Sequence, residues 1–330
     1  MAVEPEVVLI EAGEPVAPSL RVRGLWRDAF RETLRKKSAF VGLILLGILV
    51  VLAVLAPVLA PFGERDVRLE EEDVRPREAP CVHLLGCDEA RPQHILGLDG
   101  NGRDVLSRIL FGARLSLIAG FVAVFFAVVL GTSIGLVSGF FGRWVDAVIM
   151  RVMDVLLAFP ALLLAVAIAA ALQAAGGKYP FLQEINERAG IFYAVIAVSA
   201  VTIPVYARLV RASTLAIREQ DFITADRALG VPALRILLHR VLPNALTPLV
   251  VQATLGIATA VLELAALSFL GLGGDPSQAE WGRMIALERN QIFTAPHLVL
   301  FPGLMIMVNV LAFNLIGDGL RDALDPRLNR

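Results

Sequence analysis

Long apolar stretches alternate with polar connections along the whole chain. Six of these stretches run for about twenty residues, which is the length that an α-helix needs to cross a bilayer. With their connections they take up most of the 330 residues. The pattern therefore predicts an all-α membrane protein with one six-span domain over residues 38–330, and no separate soluble enzyme domain. We place the six predicted spans at about residues 39–60, 113–137, 149–173, 191–211, 246–270 and 298–317.

The composition agrees with this pattern. The hydrophobic share of the sequence is 57% and its mean hydropathy is +0.70. Soluble domains contain about 45–50% apolar residues, so the excess makes membrane lipid the expected surroundings of the chain. The formal net charge is −1, and this balance gives no reason to expect a nucleic-acid partner.

The distribution of basic residues predicts the orientation in the membrane. Arg31, Arg35, Lys36 and Lys37 form a cluster directly before the first predicted span. Because basic residues are enriched in cytoplasmic segments beside spans, the cluster places the N-terminus in the cytoplasm. An even number of spans then returns the C-terminus to the same side and leaves the long loop 61–110 outside.

Two different segments precede the first span. Residues 1–21 are acidic and contain prolines, and we expect them to form a disordered cytoplasmic tail. Residues 22–37 carry apolar positions such as Trp26 and Phe30 at helical spacing beside arginines. This pattern predicts an amphipathic interfacial helix on the inner membrane surface. A plain helical extension of the first span is the alternative.

The connection between the fourth and fifth spans, residues 212–244, is polar and about thirty residues long. Connections of that length usually have a function. Asp221 is suited to cap a helix that starts at Phe222. Gly230 can take the left-handed conformation that ends such a helix. The first half of the connection is therefore predicted to form one short helix that ends in a glycine turn.

A second short helix is predicted after that turn. Pro232 suits its first turn, and its body extends to Arg240. Leu242 and Pro243 are expected to end it ahead of the fifth span, because the residue before a proline disfavours the helical conformation. Two short helices joined at a glycine have a shape that can carry motion from a partner into the spans.

The same connection resembles the EAA loop of ABC-importer permeases, the element that docks into the ATPase subunit. Thr224, Ala225 and Asp226 stand where that pattern has Glu-Ala-Ala, so its first and third letters are changed. An ordinary interfacial loop that only joins two spans is the alternative interpretation. The resemblance assigns ATPase docking to Asp221, Thr224, Ala225, Asp226, Ala228, Leu229, Gly230, Leu242 and Pro243.

Four further motifs extend the resemblance. Residues 96–108 are similar to the pattern LGTD-xx-GRDVLSR, with one Thr replaced by Leu. Residues 150–160, 266–273 and 312–327 match further motifs of the same kind. Together these motifs resemble the C-type membrane subunit of the dipeptide/oligopeptide permease family of ABC importers, over about residues 25–330.

That resemblance implies a type I ABC importer permease fold, of the MetI-like kind, that imports di- or oligopeptides. It implies a B-type permease subunit as heterodimer partner, two ABC ATPase subunits and an extracytoplasmic peptide-binding protein. It also implies a multi-pass protein of the bacterial or archaeal inner (plasma) membrane, with both termini cytoplasmic. The sequence contains no Gly-x-x-x-x-Gly-Lys-[Ser/Thr] phosphate loop. We therefore expect ATP and Mg²⁺ on the partner ATPases, and neither a bound cofactor nor catalysis in this chain.

Other functions fit parts of the pattern. The same architecture can import nickel, glutathione or another small solute. An ion-gradient secondary transporter would show several charged residues and broken helices at mid-membrane depth, and this sequence has chiefly Glu263. Because Glu263 lies in the apolar fifth span near its outer end, it is a candidate pathway-facing carboxylate for a peptide's amino group. A packing or hydrogen-bonding role is the alternative.

Two cysteines lie in the loop that is predicted to be external. Cys81 and Cys87 are six residues apart, and an oxidising exterior favours a disulfide between them. Free thiols are one alternative. A metal site shared with His83 and His94 is another, although the spacing matches no recognised zinc pattern.

Overall fold

The computed structural model of the chain is helical throughout its regular elements. The described residues are 32–69, 74–87, 93–176, 178–179, 181, 184, 191–275 and 277–324. The predicted tail over residues 1–21 and the first ten residues of the predicted interfacial helix, 22–31, lie outside them. Ten α-helices have both ends within the described residues: α1 Lys37–Leu59, α2 Val105–Phe141, α3 Arg143–Ala158, α4 Ala161–Gly176, α5 Phe192–Arg218, α6 Asp221–Ala228, α7 Ala233–Ile236, α8 Leu242–Phe269, α9 Trp281–Glu288 and α10 His297–Leu324.

Five helical units are long and apolar enough to cross a membrane. These are α1, α2, α5, α10 and the unit Ala233–Phe269, in which α7 continues into α8. The pair α3 and α4 passes the same test together, but it is bent by 95°. Counting this pair as one broken span gives the six spans that the sequence predicts.

The predicted third span, residues 149–173, is therefore wrong as a single straight helix. The break lies at Phe159 and Pro160, between α3 and α4. Pro160 has no backbone N–H and its ring disfavours the helical conformation of the residue before it. Phe159 accordingly takes an extended conformation, with φ −85° and ψ 142°. The apolar composition across the break does not reveal it.

The other spanning helices are longer than the apolar stretches that predicted them. Asp104 accepts a hydrogen bond from the Ser107 backbone N–H and starts α2 eight residues before the predicted span. At their far ends, α5 continues to Arg218 and α10 to Leu324. Hydropathy marks only the part of a helix that suits lipid, whereas the helix continues into polar sequence at either end.

The centre of the bundle is the close packing of α2 against α5. Gly131, Gly135 and Gly139 lie about one turn apart on α2, and all three face α5. A Cβ atom added to Gly135 would lie only 2.5 Å from the carbonyl oxygen of Ala207 on α5. Small residues at four-residue spacing let two helix backbones approach closely in a membrane. Because residues 131 and 139 face the earlier and later parts of α5 in the same order, the two helices run parallel.

One end of the bundle is closed by the described residues of two segments that we call the cap, 60–69, 74–87 and 93–104 in the first and 270–275 and 277–296 in the second. Arg108 at the start of α2 is almost fully buried and ties these segments together. Its guanidinium donates to the carbonyl oxygens of Glu64 at 3.0 Å, Ser277 at 3.2 Å and Gln278 at 3.1 Å. A buried arginine satisfied by loop carbonyls holds two loops in a fixed relation.

Further contacts make the cap one unit. Arg77 forms a salt bridge with Glu288 at 2.8 Å, and the other carboxylate oxygen of Glu288 accepts from the Gly100 N–H at 2.8 Å. Trp281 is fully buried and donates its indole N–H to the Ile109 carbonyl. The helix α9 is therefore held against the start of α2, at the end of the bundle opposite to the α6–α7 connection.

Candidate functional site

The connection between α5 and α8 forms two short helices, α6 and α7, separated by a sharp turn. We call residues 219–241 the elbow. This is shorter than the predicted loop 212–244, because α5 extends to Arg218 and α8 begins at Leu242. Asp221 is the first residue of α6 and not its cap; Gln220 occupies the cap position without a side-chain hydrogen bond. Asp221 thus adds negative charge to the first turn, where the helix dipole favours it.

Gly230 makes the turn between the two arms. Its φ is +73°, in the left-handed region that suits glycine. The backbone N–H groups of Leu229, Gly230 and Val231 donate back to carbonyls of α6 at 3.0 Å, which closes the end of that helix. The predicted glycine turn is therefore present in the structure.

The elbow has one anchored side and one exposed side. Ile223 and Ile236 are fully buried in the main hydrophobic core, one from each arm. On the opposite side, Leu229 is 81% exposed and Leu234 is 66% exposed. The predicted docking residues are accessible: Asp221, Thr224, Ala225, Ala228, Leu229, Gly230 and Pro243 are exposed, and Asp226 and Leu242 are half-buried. An exposed apolar tip on an anchored base is typical of a surface that contacts a partner.

An ion pair joins the two arms. Arg240 Nε donates to the Asp226 carboxylate at 2.9 Å, and an open cleft of about 600 Å³ lies beside the pair. Asp226 stands at the third letter of the Glu-Ala-Ala pattern, where the family resemblance expects alanine. The departure from the pattern therefore adds a brace across the elbow. The signal was visible in the sequence only as two opposite charges fourteen residues apart.

The second arm does not end ahead of the fifth span, so the predicted break at Leu242 and Pro243 is wrong. The helix passes from α7 through a π-helical turn over Leu237–Val241 directly into α8. Pro243 lies in the first turn of α8, and the widened turn lets the chain accommodate a residue that cannot donate a backbone hydrogen bond. The elbow and α8 are consequently one continuous helical unit, Ala233–Phe269.

The helix that leads into the elbow, α5, is tied to α2 and α3. Arg218, at the end of α5, donates to the Gly139 carbonyl of α2 at 3.1 Å. Two helical turns earlier on α5, Arg211 binds Asp146 of α3 through two nitrogens at 2.5 and 2.6 Å. Arg208 of α5 also forms a salt bridge with α3, through one nitrogen to the carboxylate of Asp154. The elbow therefore connects a braced body, α2, α3 and α5, to the long helix that contains α8.

The two remaining sequence candidates lie elsewhere. Cys81 and Cys87 form a disulfide in the cap, with Cα atoms 5.4 Å apart. Their sulfurs are joined to each other, so the alternative of a metal site with two thiolates does not fit this arrangement. Glu263 lies on α8 about two turns before the helix ends at Phe269, and it is half-buried. One of its carboxylate oxygens is buried and has no hydrogen-bond partner.

These features define a class of protein: a membrane-embedded permease subunit with the type I ABC importer fold. The chain belongs to the family of binding-protein-dependent transport system inner membrane components, whose sequence profile matches residues 127–330. The profile for the N-terminal transmembrane domain of oligopeptide transport permease C matches residues 24–80.

The relatives that this chain is similar to are permease proteins. The dipeptide transport system permease protein DppC of Alkalihalophilus pseudofirmus is 44% identical, over 92% of this chain and 90% of the relative. DppC of Haemophilus influenzae is 40% identical over 90% and 92%. The glutathione transport system permease protein GsiD of Pectobacterium atrosepticum is 38% identical over 95% of both chains.

A solved structure supports the fold. An inward-facing structure of the MetNI methionine ABC transporter aligns with a TM-score of 0.52 at 21% sequence identity. The alignment covers 66% of this chain and 96% of that chain. At this identity the likeness shows the shared fold alone, in agreement with the type I importer permease fold that the motifs predict.

Proposed function

We propose that this chain is the C-type permease subunit of an ATP-driven importer of di- or oligopeptides. The observation that carries the proposal is the elbow, an exposed, braced element that continues without a break into a membrane-spanning helix. Such an element converts movement of a docked partner into movement of a span. The dipeptide permease relatives, which match nearly the whole chain, support a peptide as the solute.

The proposed assembly has five protein chains. A B-type permease completes the pathway as heterodimer partner, two ABC ATPases bind at the elbow end, and a peptide-binding protein delivers solute at the cap end. In this arrangement the elbow and both termini are cytoplasmic, and the protein is multi-pass in the inner membrane of its cell. ATP and Mg²⁺ are used by the ATPase subunits, and this chain contributes no catalytic residue.

The proposed mechanism follows from the connectivity of the elbow. When ATP closes the two ATPases, the elbow moves with the surface on which it is seated. Because α7 and α8 are continuous, this movement tilts α8 relative to the body made by α2, α3 and α5. The import cycle needs two states that bind the nucleotide and the solute with different affinity, and these two positions of α8 supply them.

Cysteine crosslinking tests the docking step. Both native cysteines are in the disulfide, so an introduced cysteine is the one free thiol of the chain. Leu229→Cys should crosslink to a co-expressed ATPase subunit with a short bifunctional thiol reagent. Phe293→Cys is the matched control, because Phe293 is 95% exposed but lies at the cap end. If Leu229→Cys forms no such crosslink in correctly inserted protein, or if Phe293→Cys crosslinks equally well, the docking proposal is wrong.

Uptake measurements test the energy source and the solute. Reconstituted vesicles with the full assembly should accumulate a labelled dipeptide only when ATP is present, with the ion gradients clamped. Uptake that continues without ATP would instead indicate an ion-gradient transporter. Glutathione is the second candidate solute, because the GsiD relatives are 38% identical over 95% of this chain. Competition between the labelled dipeptide and unlabelled glutathione distinguishes the two.

A further inference from the structure

A cavity of about 300 Å³ lies at the cap end of α8, between the last residues of that helix and α9. Its apolar wall includes Phe269, Leu270 and Leu287. Its polar groups are the guanidinium groups of Arg283 and Arg289 and the amide of Asn290. No sequence motif singles out these residues, because each is an isolated basic or amide residue between the fifth and sixth predicted spans. Two cations beside an apolar wall form a site for an anion with an organic body.

Arg283 lines this cavity. Its Nε atom is buried and makes no hydrogen bond. Its Nη1 atom lies 4.0 Å from the place where a side chain on Gly271 would start, and Gly271 has φ +88°. The left-handed conformation suits glycine at this turn, and the turn brings the backbone of residue 271 close to the guanidinium. A buried donor without an acceptor costs free energy until a ligand supplies one.

The nearby carboxylates are bound to other groups. Glu280 accepts from the Gly282 and Arg283 backbone N–H groups, both at 2.8 Å, and so caps α9. Asp275 accepts from Ser277 and pairs with Arg65 at 3.4 Å. Within the described part of the chain, the Arg283 guanidinium forms no salt bridge. Asp275 and Glu280 interact with Arg283 electrostatically, but among the described residues neither accepts a hydrogen bond from its guanidinium, so its donors remain available to a ligand.

Arg289 approaches the same place from the other side. The centre of its guanidinium lies 5.6 Å from the ring centroid of Phe269, a cation–π contact. Among the described residues Arg289 forms no salt bridge either. The two arginines thus flank the end of α8. Arginine binds carboxylates through two parallel N–H donors, so the ligand that this site fits is a carboxylate attached to an apolar group.

Glu263 lies on the same side of α8, farther from the cap. Thr259, Leu262, Phe269 and Leu270 are the exposed positions of this helix section, and their spacing places them with Glu263 on one face. Seven residues separate Glu263 from Leu270, which corresponds to about 10 Å along the helix axis. An extended peptide covers about 3.3–3.6 Å per residue. Two or three peptide residues therefore match the distance between the carboxylate and the arginines.

We propose that this face of α8 binds a short peptide with free termini: Arg283 and Arg289 hold its terminal carboxylate, and Glu263 meets its amino group. The proposal rests on the proposed import function and names its substrate class at residue level. It also sets an orientation. The peptide enters with its amino end toward the membrane centre, because the arginines lie at the cap end and Glu263 lies deeper.

A charge-selective labelling experiment tests the pocket itself. Leu287→Cys places a thiol on the pocket wall, where Leu287 is 42% exposed. In the full assembly, a methanethiosulfonate reagent with a sulfonate should label this thiol faster than one with a trimethylammonium group. The expected rate ratio is at least about tenfold, because each arginine at roughly 6 Å changes the rate about threefold even with water-like screening. Phe293→Cys, outside the pocket, is the matched control and should show little preference.

Substitution of the arginines gives the decisive comparison. Arg283→Gln with Arg289→Gln should bring the labelling ratio at Leu287→Cys close to that at Phe293→Cys. Arg283→Lys keeps the charge and should preserve the ratio, which also shows that the cap is still folded. If the double substitution leaves the ratio unchanged, the anion pocket does not exist and the proposal is overturned.

Protection by ligands then identifies the carboxylate. A dipeptide with free termini should slow labelling of Leu287→Cys in the assembly, whereas its C-terminal amide should protect at least about tenfold less well. Glu263→Gln should remove the preference for the free dipeptide over its N-acetyl form. Equal protection by the acid and the amide, or protection by inorganic phosphate alone, overturns the substrate assignment. Because labelling needs no transport, these results are separate from a failure of dipeptide uptake, which would reject the import function.

Discussion

If the elbow moves α8 through a continuous helix, two exposed residues in the connecting turn must keep that helix stiff. His239 and Arg240 lie in the π-helical turn Leu237–Val241, and both side chains point away from the core. Replacing both by glycine keeps the docking surface around Leu229 intact but weakens the helix between that surface and the span. If movement passes along this helix, the double glycine variant should dock and hydrolyse ATP but transport poorly.

The size of the effect follows from helix propensity. Each glycine costs about 1 kcal/mol relative to alanine in a helix interior, so two cost about 2 kcal/mol. A free-energy change of 1.4 kcal/mol is a factor of ten in an equilibrium constant. The fraction of time in which the arm and the span form one helix should therefore fall by up to about thirtyfold. Uptake per ATP hydrolysed should fall toward the same limit.

The matched control is the double alanine variant at the same positions. It removes the same side chains, including the partner of Asp226 in the 2.9 Å ion pair with Arg240, but it preserves the helix. Dipeptide uptake and ATP hydrolysis are measured together in vesicles that contain the full assembly. Equal coupling ratios for the glycine and alanine variants would refute the reasoning, because flexibility alone would then have no effect. Crosslinking from Leu229→Cys in each background reports whether docking survives.

Three further predictions concern the stability of the bundle and the cap. Gly135→Val should lower the melting temperature by several °C, since its Cβ would lie 2.5 Å from the Ala207 carbonyl oxygen and overpacking costs about 1–3 kcal/mol; Gly47→Val, which meets nothing within 4 Å, should not. Reduction of the cap disulfide should cost about 2 kcal/mol, as expected for a loop of this length, and should raise proteolysis of the cap. Hydrogen bonds from Ser277, which outweigh burial, lower the pKa of Asp275. The stabilisation from this carboxylate should therefore be present at neutral pH and lost as the pH falls through the lowered pKa, and Asp275→Asn should remove that part of the pH dependence of melting.

Much of the architecture is accessible from the sequence because the bilayer imposes a simple rule. A span needs a run of apolar residues of a certain length, and each of the six predicted runs lies in a described helix, or bent helix pair, that is long and apolar enough to cross a membrane. Local chemistry identified Gly230 for the same kind of reason, because a left-handed turn after a helix strongly favours glycine. The turn between the two arms of the elbow was predictable from this local signal, whereas the start of α6 and the continuation of α7 into α8 were not.

The remaining features depend on how segments pack, and local signals misplace them. Pro160 and Pro243 look alike in sequence, yet the first breaks a span and the second does not. The difference lies in the backbone before each proline: Phe159 is extended, whereas the π-helical turn over Leu237–Val241 lets the helix continue past Pro243. Likewise the arginines of the cap pocket acquire their arrangement only when α9 packs against the end of α8, which no local pattern predicts.

In the proposed mechanism the helix Ala233–Phe269 links the two ends of this subunit. It is 37 residues long, about 55 Å at the usual rise per residue. One end is the second arm of the elbow, and the other end, beyond Glu263, forms a wall of the arginine pocket. A peptide at one end and an ATPase at the other can each change the position of this helix. The coupling between the two binding events must then be reciprocal. Occupancy of the pocket by a peptide should therefore change the affinity of the elbow for the ATPase by the same factor as seating of the ATPase changes the affinity for the peptide.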